Sequence, residues 1–177
     1  MGSVVKELLL LRHAKSSWDD LAIEDFGRPL ALRGRKAAPL VGRELAARGW
    51  VPEKVLVSSA LRTRQTWDLV RMELGNSALP VEDSRILYMT PAAQILAVLR
   101  VVPSEISSVL LIGHNPGLED LARRLAGPGS DEAALARLAR KYPTAALTRF
   151  VHEGSWSTLD FAGPRLTHFL RPKDIGA

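Results

Sequence analysis

Two arginines and two histidines stand where a phosphate-handling site can form. Arg12 and His13 directly follow one apolar run, Arg62 follows a second, and His114 follows a third. A guanidinium stays charged at any working pH, and its planar fork matches two phosphate oxygens at a time. A neutral imidazole nitrogen is a competent nucleophile at phosphorus. These residues therefore predict phosphoryl transfer by positioning and charge stabilisation, with no metal and no cofactor.

The pattern of apolar residues predicts the elements that hold these side chains. Residues 4–11, 55–57 and 109–112 form short apolar runs typical of buried parallel strands. Helical spacing follows them at about 34–48, 61–74, 91–100 and 117–127. This alternation predicts an α/β fold, a three-layer αβα sandwich with a mostly parallel central sheet. Residues 146–151 and 166–170 predict an antiparallel C-terminal hairpin at the sheet edge.

The order of these elements also predicts where the chemistry lies. Ligands on open α/β sheets bind outside the carboxyl ends of the strands. His13 and His114 stand at two such ends, and Arg62 lies in the turn after a third. We therefore expect the four side chains to converge at one edge of the sheet.

Composition limits the class of protein. The 177 residues suit a single domain over 1–177, and 46% hydrophobic with 24% charged residues is typical of a soluble globular chain. The absence of cysteine excludes disulfides, thiolate catalysis and cysteine-ligated metals. The start of the chain has neither a membrane-length apolar stretch nor the regions of a signal peptide. We therefore expect a cytoplasmic protein with no membrane partner.

The net charge favours an anionic partner. Lys plus Arg number 24 against 19 for Asp plus Glu, a formal charge of +5. The basic residues are scattered among acidic ones on the predicted helix faces, and only 6% of residues are aromatic. This pattern gives no stacking platform for single strands, so we expect a phosphorylated substrate and no nucleic acid. Oligomeric state is left open.

Several ordered motifs resemble the histidine phosphatase superfamily, in its SixA-type phosphohistidine phosphatase branch. They are Leu10-Leu11-Arg12-His13-Ala14, Arg28-Pro29-Leu30 with Gly34, Val57 to Thr66, and Ile112 to Pro116, with Pro143-Thr144 and His168 to Pro172 in the closing part. The resemblance covers essentially the whole chain. It implies a phosphatase that forms a phosphohistidine enzyme intermediate and acts on phosphohistidine in proteins.

The resemblance also implies a role for each matched residue. His13 is the phosphorylated nucleophile, Arg12 and Arg62 hold the phosphoryl oxygens, and His114 stabilises the charge that builds on them. Arg28 matches an arginine of the branch that reaches the pocket.

Other candidates come from position in the sequence. Lys15 and Ser16, directly after the nucleophile, are candidate substrate contacts. The loop from Ser16 to Phe26 is a candidate lid, and Trp18 a candidate lining of the substrate entrance.

One departure from the family pattern bears on the substrate. Many members carry a Glu or Asp that protonates the leaving oxygen, and Tyr88 stands where that acid is expected. Losing a general acid costs about 10²- to 10⁴-fold for a poor alkoxide leaving group. A phosphorus–nitrogen bond depends on it less, so the departure favours phosphohistidine. The remaining candidate acids are Asp19, Asp20, Glu82 and Asp83.

Two alternatives stay open. One is a small-molecule phosphomonoesterase of the same superfamily, and the other is a non-catalytic phosphate-binding regulatory module.

Overall fold

A six-stranded mixed sheet forms the centre of the computed structural model, which describes residues 4–75 and 78–176. The strands are β1 (Val5–Arg12), β2 (Lys54–Ser58), β3 (Val81–Ser84), β4 (Ser108–Gly113), β5 (Leu147–Glu153) and β6 (Arg165–Leu170). They lie in the order β3-β2-β4-β1-β5-β6. The first four strands of that order are parallel, and β5 pairs antiparallel with both β1 and β6. The predicted fold class is thus confirmed, including the antiparallel C-terminal pair.

Five α-helices cover the two faces of the sheet. They are α1 (Leu32–Arg48), α2 (Leu61–Glu73), α3 (Ala92–Arg100), α4 (Gly117–Leu125) and α5 (Glu132–Arg140). One buried cluster joins the sheet to α1 and α2, and another joins it to α3, α4 and α5. The molecule therefore has the three layers expected from the sequence. Among the described residues, none of these helices has the length and apolar content needed to span a bilayer.

The central strand β1 is buried on both faces, which explains its continuous run of leucines. Leu8 and Leu10 pack in the cluster of α3, α4 and α5, while Leu9 and Leu11 pack in the cluster of α1 and α2. All four are at most 2% exposed. Burying each leucine contributes about 1.5 to 3 kcal/mol, so β1 is held firmly and its carboxyl end is fixed in space.

The sequence patterns do not predict β3 or α5. The four residues of β3 are polar or exposed, so they carry no apolar alternation, and only the parallel pairing with β2 makes them a strand. In α5 only Ala134 and Leu138 are buried. The sequence signal for the start of α5 was Asp131, an N-cap residue whose side chain accepts a hydrogen bond from the N–H of Ala134.

The start of α1 packs directly on the backbone that follows the end of β1. The N–H of Ala31 donates to the carbonyl of Lys15 at 2.8 Å. A Cβ added to Gly34 would lie 2.2 Å from that carbonyl oxygen. Only glycine permits this approach, which locks the first turn of α1 against the segment just after residue 13.

Gly34→Ala should therefore lower the free energy of unfolding by about 1 to 3 kcal/mol, because backbone must move to admit the methyl group. Urea denaturation measures the change. Gly27→Ala is the matched control, since its Cβ would meet nothing closer than 3.4 Å. Equal losses in both variants would contradict the close-packing argument.

Candidate active site

Two neighbouring parallel strands bring His13 and His114 together. Arg12 pairs in register with Gly113, and the N–H of His13 donates to the carbonyl of Gly113 at 3.1 Å. The two imidazole rings leave the sheet at the same edge with their centroids 5.3 Å apart. The convergence expected from the strand ends is present in the fold.

The hydrogen bond of His13 defines which ring nitrogen is free. Its Nδ1 lies 2.7 Å from the carbonyl oxygen of Ala14, which can only accept, so Nδ1 carries the proton. In the neutral ring Nε2 then holds the lone pair. Burial, together with the positive charges of Arg62 and Arg12, lowers the pKa of His13 to about 3. At neutral pH this imidazole is uncharged and has a nucleophilic Nε2.

His114 is held by the strand next to its own. Its Nε2 lies 2.7 Å from the hydroxyl of Ser58, the last residue of β2. Burial and the neighbouring His13 and Arg62 lower the pKa of His114 to about 3. Its Nδ1 is buried without a hydrogen-bond partner among the described residues. If the Ser58 hydroxyl donates to Nε2, then Nδ1 carries the proton and can donate to an anion.

Both arginines are already oriented, Arg62 fully buried and Arg12 partly buried. Arg12 donates from one terminal nitrogen to the carbonyl of Tyr142 at 3.0 Å. Arg62, at the start of α2, is 2% exposed and donates to the backbone carbonyl of Asp25 at 2.7 Å. Within the described ranges, the Nε atoms of both arginines are buried and have no hydrogen-bond partner. Their positive charges lower the pKa of both imidazoles, so the four predicted side chains form one electrostatic cluster.

Asp25 is a member of this cluster that the sequence did not single out. Its carboxylate accepts from Arg62 at 3.0 Å, from Arg28 at 2.9 Å, and from the hydroxyl of Tyr88. Partial burial raises the pKa of this carboxyl, but the hydrogen bonds from Tyr88, Arg28 and Arg62 outweigh it and bring the pKa below its usual range. Asp25 is therefore ionised at neutral pH. The only sequence signal was an acidic residue three positions before Arg28.

The four acids that the sequence proposed lie elsewhere. Glu82 pairs with Lys54 at 3.2 Å, and Asp83 pairs with Arg64 at 3.3 Å. Asp19 and Asp20 are exposed in the loop after β1 and form no ion pair with the described residues. Among the acids discussed, Asp25 is the one that contacts Arg62 of the cluster.

Tyr88 lies beside His114 and belongs to the wall of the pocket. Its ring is edge-on to His114 with the centroids 5.4 Å apart, and it packs against Phe26 at 4.9 Å. Partial burial and the hydrogen bond to Asp25 raise the pKa of the Tyr88 hydroxyl. The hydroxyl therefore stays protonated at neutral pH and donates a hydrogen bond to the Asp25 carboxylate.

The candidate substrate contacts separate into two groups. Arg28 and Ser16 are 7% and 6% exposed and are hydrogen-bonded to each other at 2.9 Å, so they join the cluster through Asp25. Trp18 stacks on Arg28, whose Cζ lies 3.5 Å from the ring centroid. Lys15 is exposed and lines a different cavity. Contact of these residues with substrate, and the lid role of the loop, stay predictions.

The described part of the chain contains no group of three or more His, Cys, Asp or Glu side chains arranged to hold a metal ion.

Comparison with known proteins identifies the family. Residues 8–87 match the model of the histidine phosphatase superfamily, branch 1. A chloroplastic protein of Arabidopsis thaliana is 35% identical over 133 residues, and this chain spans 61% of its length. A protein of Mycobacterium leprae is 30% identical over 168 residues, which cover 92% of this chain and 100% of that protein.

A solved structure from Nakamurella multipartitia, which carries the name phosphohistidine phosphatase SixA, has a TM-score of 0.79 at 30% identity. The match covers 95% of this chain and 96% of the Nakamurella chain. The chain therefore belongs to the histidine phosphatase superfamily. The SixA-type resemblance and the assignment as a phosphatase, both predicted from the motifs, are confirmed.

The two neutral imidazoles predict how stability depends on pH. Their pKa values are about 3 in the folded chain and 6.5 ordinarily, so between these values the unfolded chain binds more protons. The free energy of unfolding should therefore fall as the pH drops below about 6.5, by up to about 1.4 kcal/mol per pH unit for each histidine.

Chemical denaturation between about pH 6.5 and 4.5 measures this slope. In His13→Asn combined with His114→Gln, the Asn N–H can still donate to Ala14 and the Gln amide oxygen can accept from Ser58, but neither amide takes up a proton, so this variant should show a shallower slope. Parallel slopes for the variant and the parent would contradict the assignment of buried neutral imidazoles.

Proposed function

We propose that this chain is a metal-independent phosphohydrolase in which Nε2 of His13 attacks phosphorus, and that its substrates are phosphohistidine side chains of proteins. One observation carries the proposal: a buried, uncharged imidazole with a free Nε2 lies beside a second imidazole and the guanidiniums of Arg12 and Arg62. Such a set matches the needs of phosphoryl transfer, which are an in-line nucleophile and compensation of oxyanion charge.

The reaction has two displacements. In the first, a bond forms between phosphorus and Nε2 of His13 while the bond from phosphorus to the leaving group breaks. The leaving imidazole of the substrate keeps the bonding electron pair and takes a proton from solvent. In the second, water attacks phosphorus, loses a proton, and the Nε2–phosphorus bond breaks to release inorganic phosphate. His13 returns to its neutral form, and the hard step is divided into two easier ones.

The remaining side chains of the cluster stabilise the transferred group. Arg12 and Arg62 neutralise its equatorial oxygens, and the Nδ1 proton of His114 donates to one of them. The phosphoryl group competes with the Asp25 carboxylate for Arg62, since both are anions that accept from the same guanidinium. Burial strengthens these contacts because the local dielectric is low.

The state of the acids supports phosphohistidine as the substrate. Asp25 is ionised at neutral pH and Tyr88 donates to it, so neither group has a proton ready for a poor alkoxide leaving group. A phosphoramidate needs less help, because its imidazole is protonated by solvent. The name carried by the Nakamurella structure supports the same substrate class. We further propose a cytoplasmic location and a phosphorylated protein as partner, with neither nucleic acid nor membrane involved.

Replacement of the nucleophile separates a catalyst from a phosphate-binding module. His13→Asn keeps a side-chain N–H for the carbonyl of Ala14, so the pocket should stay folded and should still bind inorganic phosphate. Turnover of a phosphohistidine peptide should fall by about 10³-fold or more, because the nucleophilic nitrogen is gone.

Acid-quench and base-quench experiments with radiolabelled substrate complete this test. The parent protein should retain label in a base-stable, acid-labile bond on residue 13, and the variant should retain none. Unchanged turnover in the variant would identify a different nucleophile.

A substrate panel tests the interpretation of the acids. The kcat/KM for phosphohistidine should exceed that for simple alkyl phosphate esters by about 10²- to 10⁴-fold at neutral pH. Asp25→Asn should change both values in the same proportion, because an ionised carboxylate has no proton to give. A selective loss of ester hydrolysis in this variant would instead make Asp25 the proton donor.

A further inference from the structure

A second concave site lies beside the reaction pocket. It is a cavity of about 400 Å³ between the start of α1, the end of α5 and the segment after β6, and we call it the basic cavity. Its lining includes the cationic side chains Lys15, Arg33, Arg140, Lys141 and Lys173. Arg137 and Arg171 line it as well.

The basic cavity opens at the same edge of the sheet as the two histidines. β1 and β6 both end at this edge, since each is antiparallel to β5. Lys15 follows His13 by two residues, and Pro143 in the lining follows Tyr142, whose carbonyl accepts from Arg12. A macromolecule that presents a phosphoryl group to His13 therefore approaches the same edge of the sheet as this cavity.

Most of the cations that line the basic cavity have no acidic partner in the described part of the chain. Among the described residues, Lys15, Arg33, Arg140, Lys141 and Lys173 form no ion pair. Within the described residues, the Asp174 carboxylate forms ion pairs only with Arg171, at 2.8 Å, and with Arg137, at 3.9 Å. Several exposed arginines elsewhere are paired with acids, as in Arg43–Glu73, Arg71–Asp68 and Arg124–Asp120. Other exposed arginines, such as Arg35, Arg85 and Arg165, form no ion pair with the described residues, but they do not line this cavity. Unpaired like charges repel, so their concentration here disfavours the folded state unless an anion binds.

The lining also indicates the kind of anion. None of the side chains described as lining the cavity is aromatic, so there is no surface on which nucleic-acid bases can stack. The cations lie on four separate chain segments, and those without partners are exposed. Exposed ammonium and guanidinium groups spread over several segments match carboxylates spread along a polypeptide.

We propose that the basic cavity binds acidic side chains of the phosphoprotein substrate, close to its phosphohistidine. This proposal rests on the proposed function for the phosphohistidine, while the binding of acidic polypeptide stands independently of it. The cavity then selects among phosphoproteins by their charge, and His13 supplies the chemistry common to all of them.

Matched phosphohistidine peptides test the proposal, one with Glu residues flanking the histidine and one with Gln at the same positions. The combined variant Arg33→Gln, Arg140→Gln and Lys173→Gln should lower kcat/KM for the Glu peptide by about 10-fold, chiefly through KM. It should leave kcat/KM for the Gln peptide and for free phosphohistidine unchanged. Raising the salt concentration should reduce the preference of the parent protein for the Glu peptide.

A charge-matched control removes the same number of positive charges far from the basic cavity. Arg43→Gln, Arg71→Gln and Arg165→Gln together should leave the preference for the Glu peptide intact. Equal loss in the two combined variants, or equal loss for the two peptides, would overturn the proposal.

Direct binding separates this proposal from the proposed function. Fluorescence anisotropy with the unphosphorylated Glu peptide needs no turnover and should show binding to the parent protein, weakened about 10-fold in the cavity variant. Binding without hydrolysis of any phosphohistidine would leave the basic cavity standing and reject the proposed chemistry. Hydrolysis of phosphohistidine without binding of the Glu peptide would reject the basic cavity alone.

Discussion

The parallel pairing of β1 with β4 positions everything else in the pocket. Its register, with Arg12 opposite Gly113, makes His13 and His114 the first side chains beyond two adjacent strand ends. Leu10 and Leu111, both fully buried, hold the strands in this register. A slip of one residue would move one strand by about 3.3 Å along the other, so the distance between the two imidazoles depends on this register.

Burial then decides the charge state of the pocket. Arg12, Arg28 and Arg62 all contribute positive charge around His13, and further protonation of an imidazole there is unfavourable. Both histidines therefore stay neutral at neutral pH, and each keeps a lone pair on one ring nitrogen. The same low dielectric that disfavours a fourth or fifth positive charge strengthens attraction for a phosphoryl group. One physical cause thus supports both the nucleophile and the anion site, while Asp25 offsets part of the positive charge.

The distribution of charge over the rest of the surface follows from the fold. The sequence shows basic residues scattered among acidic ones, and some of them form local pairs on helix faces, as Arg48 does with Glu44. The start of α1, the end of α5 and the segments after β1 and β6 bring five cations without acidic partners together in the basic cavity. The fold therefore concentrates positive charge, within a net charge of +5, next to the reaction pocket. The order of charged residues along the sequence does not show this concentration.

The sequence by itself determined the α/β architecture, the family and the four residues placed at strand ends. These features are local: apolar runs such as 109–112 must be buried, and a residue directly after such a run must emerge at the sheet edge. Only the tertiary structure decided that Asp25 meets Arg62, that Val81–Ser84 is a strand, and that Lys15 lines the basic cavity. These outcomes depend on contacts between segments distant in sequence, whose geometry is set when the core packs and not by the chemistry of neighbouring residues.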